Sequence, residues 1–157
     1  MEKKFIENYK IYKPNKNSNG SASQFCFSKE KKAIFLEMAS QSINKDVDGN
    51  ATFDWKTKLI YKLGAIDIAE ILLVLHNFKN SVGYDNKGLY HSSGDNNAIL
   101  RFQKGDKSGY YLGISVKKGE SAPVALKHSI TDAEGMILRV LLEESIRIIY
   151  DWQYVPD

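Results

Sequence analysis

Three histidines and one cysteine are the side chains of this sequence best suited to acid–base, nucleophilic or metal chemistry. His76, His91 and His128 fall in no metal-ligand spacing such as H-x-x-x-H, and Cys26 stands alone. For His91, a hydrogen-bonded structural role is favoured over a catalytic one. The chain also lacks a P-loop, a glycine-rich dinucleotide fingerprint and a G-x-S-x-G elbow. The sequence therefore predicts a binding protein without metal or cofactor, and not an enzyme.

The binding of single-stranded nucleic acid needs a different set of groups, namely cations for the phosphates and aromatic faces for the bases. Phe35 alternates with the apolar residues of a predicted strand, which places it on the opposite, open face of the sheet. Lys58 and Lys62 alternate in the same way with the apolar residues of the next strand. Phe25 belongs to a strand whose buried face the sequence does not decide, so Phe25 is either a core residue or a stacking residue.

The segment 13–20 is polar and dense in turn formers, which predicts a loop or an extended arm. It leads into the small residues of 20–23, where a backbone can approach a ligand closely. Its lysines and asparagines can contact phosphates or base edges. Residues 1–32 hold eight lysines against three glutamates, whereas the whole chain has a net charge of +3. A flexible polar turn and a solvated basic tail explain the same composition, so those interpretations stay open.

The elements that must position these residues alternate between strand and helix patterns. Period-two segments predict four strands and then, after a helix at 65–77, three or four more before a second helix. Thr131-Asp-Ala-Glu134 has the pattern of a capping box, which starts the second helix and lets it run to about residue 152. The chain is therefore expected to be α+β. The predicted strands are 7–12, 21–28, 33–39, 56–63, 97–103, 110–117 and 122–130, with loops at 40–52 and 78–96.

Both predicted helices carry more apolar residues than one sheet can cover, as Met136, Ile137 and Val140 illustrate. The surplus favours packing between subunits over a monomer whose helices cover the concave sides of two sheets. The longest apolar run, at 71–75, is too short to span a membrane. No signal peptide is visible, and a lone cysteine is compatible with a reducing cytoplasm, so a cytoplasmic location is expected. We expect one domain over residues 1–157, with flexible tails at 1–8 and 153–157.

The order and spacing of several motifs resemble those of the Whirly family of single-stranded DNA-binding proteins, over about residues 9–152. Phe53-Asp-Trp55 with Lys58 is similar to the family's Y-D-W-x-x-K segment, and the strand 33–39 before it is similar to V-M-L-x-F-A. The segment 106–116 resembles D-G-S-G-x-F-x-x-L-S-V, and 129–134 resembles P-V-T-x-A-E. Against the family's DNA-binding signature K-G-K-A-A-L, residues 19–24 keep the glycine and the first alanine but lack both lysines.

The resemblance implies two antiparallel four-stranded sheets packed at an angle with two helices behind them, in the order ββββα-ββββα. It also implies a homotetramer joined through the helices. Single-stranded DNA would be bound with little sequence preference, during replication, repair or recombination. No transit peptide is visible, and the Lys/Asn/Ile-rich usage fits an AT-rich genome, so we expect a bacterial cell or a phage-infected host as the setting. An RNA-binding protein of the same fold, and a structural oligomer or protein-interaction module without nucleic acid, are the alternatives. The residues predicted to contact nucleic acid are Lys13, Lys16, Asn17, Asn19, Gly20, Ser21, Ser23, Phe25, Phe35, Lys58, Lys62 and Arg101.

Overall fold

The computed structural model describes residues 7–152 and 156, in which two four-stranded antiparallel sheets are each followed by a helix. Sheet A has the strand order β1-β2-β3-β4, and sheet B has the order β5-β6-β7-β8. This confirms the predicted ββββα-ββββα arrangement. The strands of sheet A are β1 Tyr9–Lys13, β2 Ser21–Ser28, β3 Ala33–Lys45 and β4 Ala51–Leu63, followed by α1 Ala65–Leu75. The strands of sheet B are β5 Leu89–Ser93, β6 Asn96–Lys104, β7 Tyr110–Lys118 and β8 Val124–Ile130, followed by α2 Asp132–Tyr150.

The start of α2 is fixed by the capping box that the sequence predicts. The Thr131 hydroxyl accepts a hydrogen bond from the Glu134 amide at 3.1 Å, and the Glu134 carboxylate accepts one from the Thr131 amide at 2.9 Å. Two of the otherwise unpaired amides at this helix end are thereby satisfied. Gly135 lies one position further on, where an added Cβ would come within 2.6 Å of the Tyr110 ring. The absence of a side chain at this position therefore lets α2 pack directly against β7.

One hydrophobic core lies between the inner faces of the two sheets and the two helices. Alternation along each strand sends every second side chain into this core, so the other half of each sheet forms an open face. Fully buried side chains come from both sheets and both helices, which makes the described chain a single packed unit. They include Leu36, Tyr61, Phe102, Ile114, Ile71 and Leu142.

Two predicted loops are wrong in part. Residues 40–45 and 51–52 continue β3 and β4 as a two-stranded ribbon that extends beyond β2 and closes in a turn at 46–50. The carboxylate of Asp46 accepts hydrogen bonds from the amides of Asp48 and Asn50 and thereby holds that turn. Because the ribbon has solvent on both sides, it lacks the apolar alternation that identifies a half-buried strand. The segment predicted as a loop at 78–96 contains β5, an edge strand that is largely exposed.

The predicted flexible tails, 1–8 and 153–157, lie almost entirely outside the described residues. Within the described part, neither helix has the length and apolar character that crossing a membrane requires.

Candidate nucleic-acid interface

The open face of sheet A carries Phe35 with two cations beside it. Phe35 lies on the side of β3 opposite the buried Ile34 and Leu36, and Lys62 is its cross-strand partner on β4. Lys58 lies four residues before Lys62 on the same face of β4, and the exposed Ile60 lies between them. The positions of Phe35 and the two lysines are those that the alternation predicts. An outward phenyl ring beside two ammonium groups is the combination that a base-stacking, phosphate-binding surface requires.

A carboxylate lies in the middle of this face. Glu37 Oε2 is 2.7 Å from Lys58 Nζ, and Glu37 Oε1 accepts a hydrogen bond from the Gln24 side-chain amide. Cys26 lies beside this group, and burial, followed by the neighbouring Glu37 charge, raises the pKa of its thiol. The thiol is therefore held in its protonated, weakly nucleophilic form.

The open face of sheet B forms a groove of about 760 Å³ across β6, β7 and β8. Arg101, Gly113 and Lys127 are cross-strand partners in one row, so two cations flank a position that has no side chain. Tyr111 lies in the next row and is exposed. This groove combines cations, an aromatic ring and accessible backbone, as the open face of sheet A does.

A second groove, of about 730 Å³, lies where the edge of β4 meets one end of sheet B. Lys58 and Lys62 line it from sheet A, and Tyr90 and Lys118 line it from sheet B. The Tyr90 hydroxyl donates a hydrogen bond to the Asn97 side chain at 2.6 Å, which fixes the orientation of an exposed ring. We call this the junction groove, because it connects the open face of sheet A with sheet B.

The segment 14–20 is an ordered loop at the end of sheet A. The Asn15 carboxamide oxygen accepts hydrogen bonds from the amides of Asn17 and Asn19, both at 3.1 Å. The Gln41 side chain accepts from the amides of Asn15 and Gly20, which ties the loop to β3. A Cβ at Gly20 would lie 2.1 Å from a backbone oxygen, so only glycine fits there. Lys16, Asn17 and Asn19 are exposed on this loop.

Four predicted contact residues need correction. Phe25 is only 6% exposed and belongs to the core, and Ser21 and Ser23 face inward on the same side of β2. Their hydroxyls serve the contact between the two sheets, because Ser21 donates to the Lys127 carbonyl oxygen and Ser23 contacts His128, each at 2.9 Å. The Lys13 ammonium is 2.6 Å from Glu134 and is occupied in that ion pair. These four side chains hold the fold together and do not line the open faces.

Lys13 also affects the acid at the start of α2. Burial acts to raise the pKa of Glu134, but hydrogen bonds from the Lys13 ammonium and from Thr131 outweigh it and leave that pKa below its ordinary value. The carboxylate therefore stays ionised to a lower pH than an ordinary glutamate does.

His128 is the buried histidine between the two sheets. Its Nδ1 lies 2.9 Å from the Ser129 carbonyl oxygen and its Nε2 lies 2.9 Å from the Ser23 hydroxyl. Since a carbonyl oxygen can only accept, Nδ1 carries the proton of the neutral ring and Nε2 accepts from Ser23. Burial lowers the pKa of this ring, with Lys13 adding to the effect, while the Ser129 carbonyl and Glu134 oppose it.

The lowered pKa of His128 predicts a loss of stability in mild acid. The unfolded chain, with an ordinary histidine pKa of about 6.5, binds the proton more readily than the folded chain. The contribution of the neutral His128 ring to the free energy of unfolding should therefore be present in full above about pH 6.5. It should decrease as the pH drops toward the pKa of the ring in the folded protein. Urea unfolding at about pH 7.5 and about pH 5.5 measures this difference. His128→Gln should be less stable at the higher pH but show a smaller drop between the two.

The control for this prediction is His91→Gln, because His91 is exposed on β5. If His128→Gln showed the same drop as the unaltered protein, titration of this ring would not be the cause.

His91 has the structural role that the sequence favoured, since its Nε2 lies 3.1 Å from the Asp67 carboxylate and its ring stacks on Tyr61 with centroids 4.5 Å apart. Within residues 7–152, no group of three or more histidine, cysteine or acidic side chains is placed to hold a metal ion.

Several residues of the open faces do not stand out in the sequence. Tyr90 lies in the segment predicted as a loop at 78–96, and Tyr111 and Lys127 lie in predicted strands whose open sides the sequence pattern leaves undecided. The signal that finds them is the alternation of β7 and β8, where the buried Leu112 and Ile130 fix the opposite side as open.

Residues 9–141 match the family model described as "Whirly transcription factor". No curated protein matches the chain by sequence. Among solved structures, WHY3 from Arabidopsis thaliana superposes with a TM-score of 0.73 and 16% identity, covering 96% of this chain and 92% of that one.

Two further structures have the same fold. MRP1/MRP2 of the trypanosome superposes with a TM-score of 0.68 and 14% identity, covering 94% of this chain and 87% of that one. A guide-RNA-binding protein complex bound to its guide RNA gives a TM-score of 0.63 and 14% identity, with 92% of both chains covered.

Proposed function

Since the chain belongs to the Whirly family, we propose that it binds single-stranded nucleic acid along the open faces of its two sheets. The observation that carries the proposal is the outward Phe35 with Lys58 and Lys62 beside it on the open face of sheet A. Stacking on an aromatic ring and neutralisation of phosphates together make binding tolerant of sequence.

The distribution of cations supports a path for the strand. Lys58 and Lys62 line both the open face of sheet A and the junction groove, and Arg101 and Lys127 lie on the open face of sheet B. A strand that follows the junction groove therefore meets Lys58 and Lys62 of sheet A and Lys118 of sheet B, and the cations of the open face of sheet B form a separate patch. Lys16 and the exposed asparagines of the loop 14–20 offer further phosphate or base contacts at the end of sheet A.

DNA is the expected partner because the family resemblance is to single-stranded DNA-binding proteins, and protection of exposed strands during replication, repair or recombination is the role that we propose. RNA is a second candidate, favoured by the structure of similar fold that is bound to a guide RNA. The two differ in the 2′-hydroxyl, so strands of equal sequence in the two chemistries distinguish them. For the location we propose the cytoplasm, where a free thiol such as Cys26 persists in its reduced form.

The outer surface of the helices supports a proposed homotetramer. The side chains of Met136, Ile137, Val140 and Leu141 are between 42% and 57% exposed and form one apolar stripe along α2. Contiguous exposed apolar surface on a helix marks a protein–protein contact. A second copy of the chain, presenting the same stripe, is the occupant that symmetry favours.

Fluorescence anisotropy with a labelled poly-dT of about 30 nucleotides tests the proposed function. We expect saturable binding that a duplex of equal length does not displace. If Lys58, Lys62, Arg101 and Lys127 each neutralise one phosphate, the logarithm of the binding constant should fall with the logarithm of the salt concentration with a slope of about −3. The same titration with poly-rU compares DNA with RNA.

A matched pair of lysine variants locates the interface. Lys62→Gln should reduce the steepness of that salt dependence by about 0.7, which is the share of one phosphate on a single strand. Lys31→Gln, in the exposed turn between β2 and β3, should leave it unchanged. A protein that binds no strand at low salt would contradict the proposed function.

A further inference from the structure

We propose that Phe35, Glu37 and Gln24 form a subsite on the open face of sheet A that selects guanine over the other bases. The inference rests on the proposed function, because it adds a preference at one nucleotide to an otherwise sequence-tolerant surface. Glu37 is the acid in the middle of this face, and the charged side chains next to it are lysines.

Glu37 is an unusual residue for a surface that binds phosphates. Its side chain is 12% exposed, and its two oxygens are held by Lys58 and by Gln24. A carboxylate repels a phosphate backbone, so by itself it weakens binding. A carboxylate is also an acceptor without donors, which makes it a reader of N–H groups on a base edge.

The spacing of the three residues fits a single base. Phe35 and Glu37 are two positions apart on the same face of β3, which separates them by about 6.6 Å along the strand. Gln24 is the direct cross-strand partner of Glu37 on β2. A base that stacks on the Phe35 ring therefore extends one edge over the Glu37 carboxylate and the Gln24 carboxamide.

The hydrogen-bond donors on the Watson–Crick edge of the base favour guanine. Guanine presents two adjacent donors, N1–H and the N2 amino group, which match the two oxygens of a carboxylate. Thymine presents one N–H between two carbonyl oxygens, and adenine and cytosine present an amino group next to a ring acceptor. Single-stranded bases are read on this Watson–Crick edge. Each oxygen of Glu37 has lone pairs beyond those that its present partners occupy, so both can accept from the base.

When a strand binds, Lys58 and Glu37 can exchange each other for new partners, so that neither charge is left without one. Lys58 lies on the open face and can turn its ammonium from Glu37 to a phosphate of the bound strand. The carboxylate then keeps Gln24 as a donor and gains the two N–H groups of guanine. With any other base it loses the ammonium and gains at most one donor, and an acceptor of the base faces a negative charge.

The test uses strands of about 12 dT nucleotides with one central substitution, titrated against the intact protein by fluorescence anisotropy. A single dG should bind about tenfold more tightly than dT, dA or dC at the same place, as one bidentate contact allows. Deoxyinosine lacks only the N2 amino group and should lose most of the gain. A dG strand that binds no better than the dT strand would overturn the subsite and leave the proposed function intact. A protein that binds none of the strands would overturn both.

The variant Glu37→Gln should abolish the preference for dG and increase the affinity for plain poly-dT, because a charge that repels the phosphates is removed. Glu30→Gln is the matched control, since Glu30 undergoes the same change of charge in the exposed turn between β2 and β3. If Glu37→Gln still preferred dG, Glu37 would not be the reader. Should this variant fail to fold, the comparison of dG with deoxyinosine on the unaltered protein decides the question alone.

Discussion

Replacement of Phe35 with alanine is expected to weaken the binding of poly-dT by about 1–3 kcal/mol, or about 5- to 150-fold in the dissociation constant. The phenyl ring lies on the open face of sheet A, and its loss removes a stacking surface while the lysines beside it stay in place. The salt dependence of binding should therefore be unchanged, because no phosphate contact is lost. Anisotropy titrations at several salt concentrations measure both quantities.

Phe78→Ala is the matched control for this variant. Phe78 is an exposed phenylalanine that follows α1 and lies outside both open faces, so the same ring is deleted from a different part of the surface. Urea unfolding of both variants shows whether the fold is kept. A folded Phe35→Ala protein with the affinity of the unaltered protein would remove Phe35 from the interface.

The double variant Ile137→Glu with Val140→Glu is expected to convert the proposed oligomer to a monomer. Both side chains are more than half exposed on α2 and lie within one turn of each other, so the change puts two like charges into the proposed contact. Each subunit would have to bury them next to their copies in its partner, which costs far more than an apolar contact gains. Light scattering coupled to size exclusion gives the mass directly.

The control for the assembly experiment is Lys31→Glu, which introduces a glutamate in the exposed turn between β2 and β3, away from α2. It should keep the mass of the unaltered protein. The double variant should still unfold in one cooperative transition, because neither residue contributes to the core of its own subunit. Its midpoint should lie below that of the unaltered protein, which association stabilises. An unaltered protein that is already monomeric at micromolar concentration would contradict the proposed tetramer.

The architecture could be predicted from sequence where alternation and capping were strong. In β3 the apolar Ile34, Leu36 and Met38 alternate without interruption, so the outward position of Phe35 follows from the sequence alone. The start of α2 follows from the Thr131 and Glu134 pair in the same way. The ribbon beyond residue 40 and the edge strand β5 were missed because solvent on both sides removes the apolar pattern.

The site could be predicted only in part. The sequence places Lys58, Lys62 and Phe35 on one face, but it leaves Phe25 open between a core role and a stacking role, and the structure buries it. In β2 one face carries Phe25 and the serines, and the other carries Ala22, Gln24 and Cys26, so neither is clearly the apolar one. The docking of β2 against β8, through Ser21 and Ser23, decides the matter.

The sequence by itself determined the order of the elements other than β5, the alternating sides of the half-buried strands and the absence of a recognised catalytic motif, because these depend on residues close together in the chain. Tertiary structure decided which side of β2 is buried, that Lys13 is occupied by Glu134, and that Glu37 lies between Lys58 and Gln24. Each of these depends on the partner that another element brings, and a sequence pattern contains the side chain but not its partner.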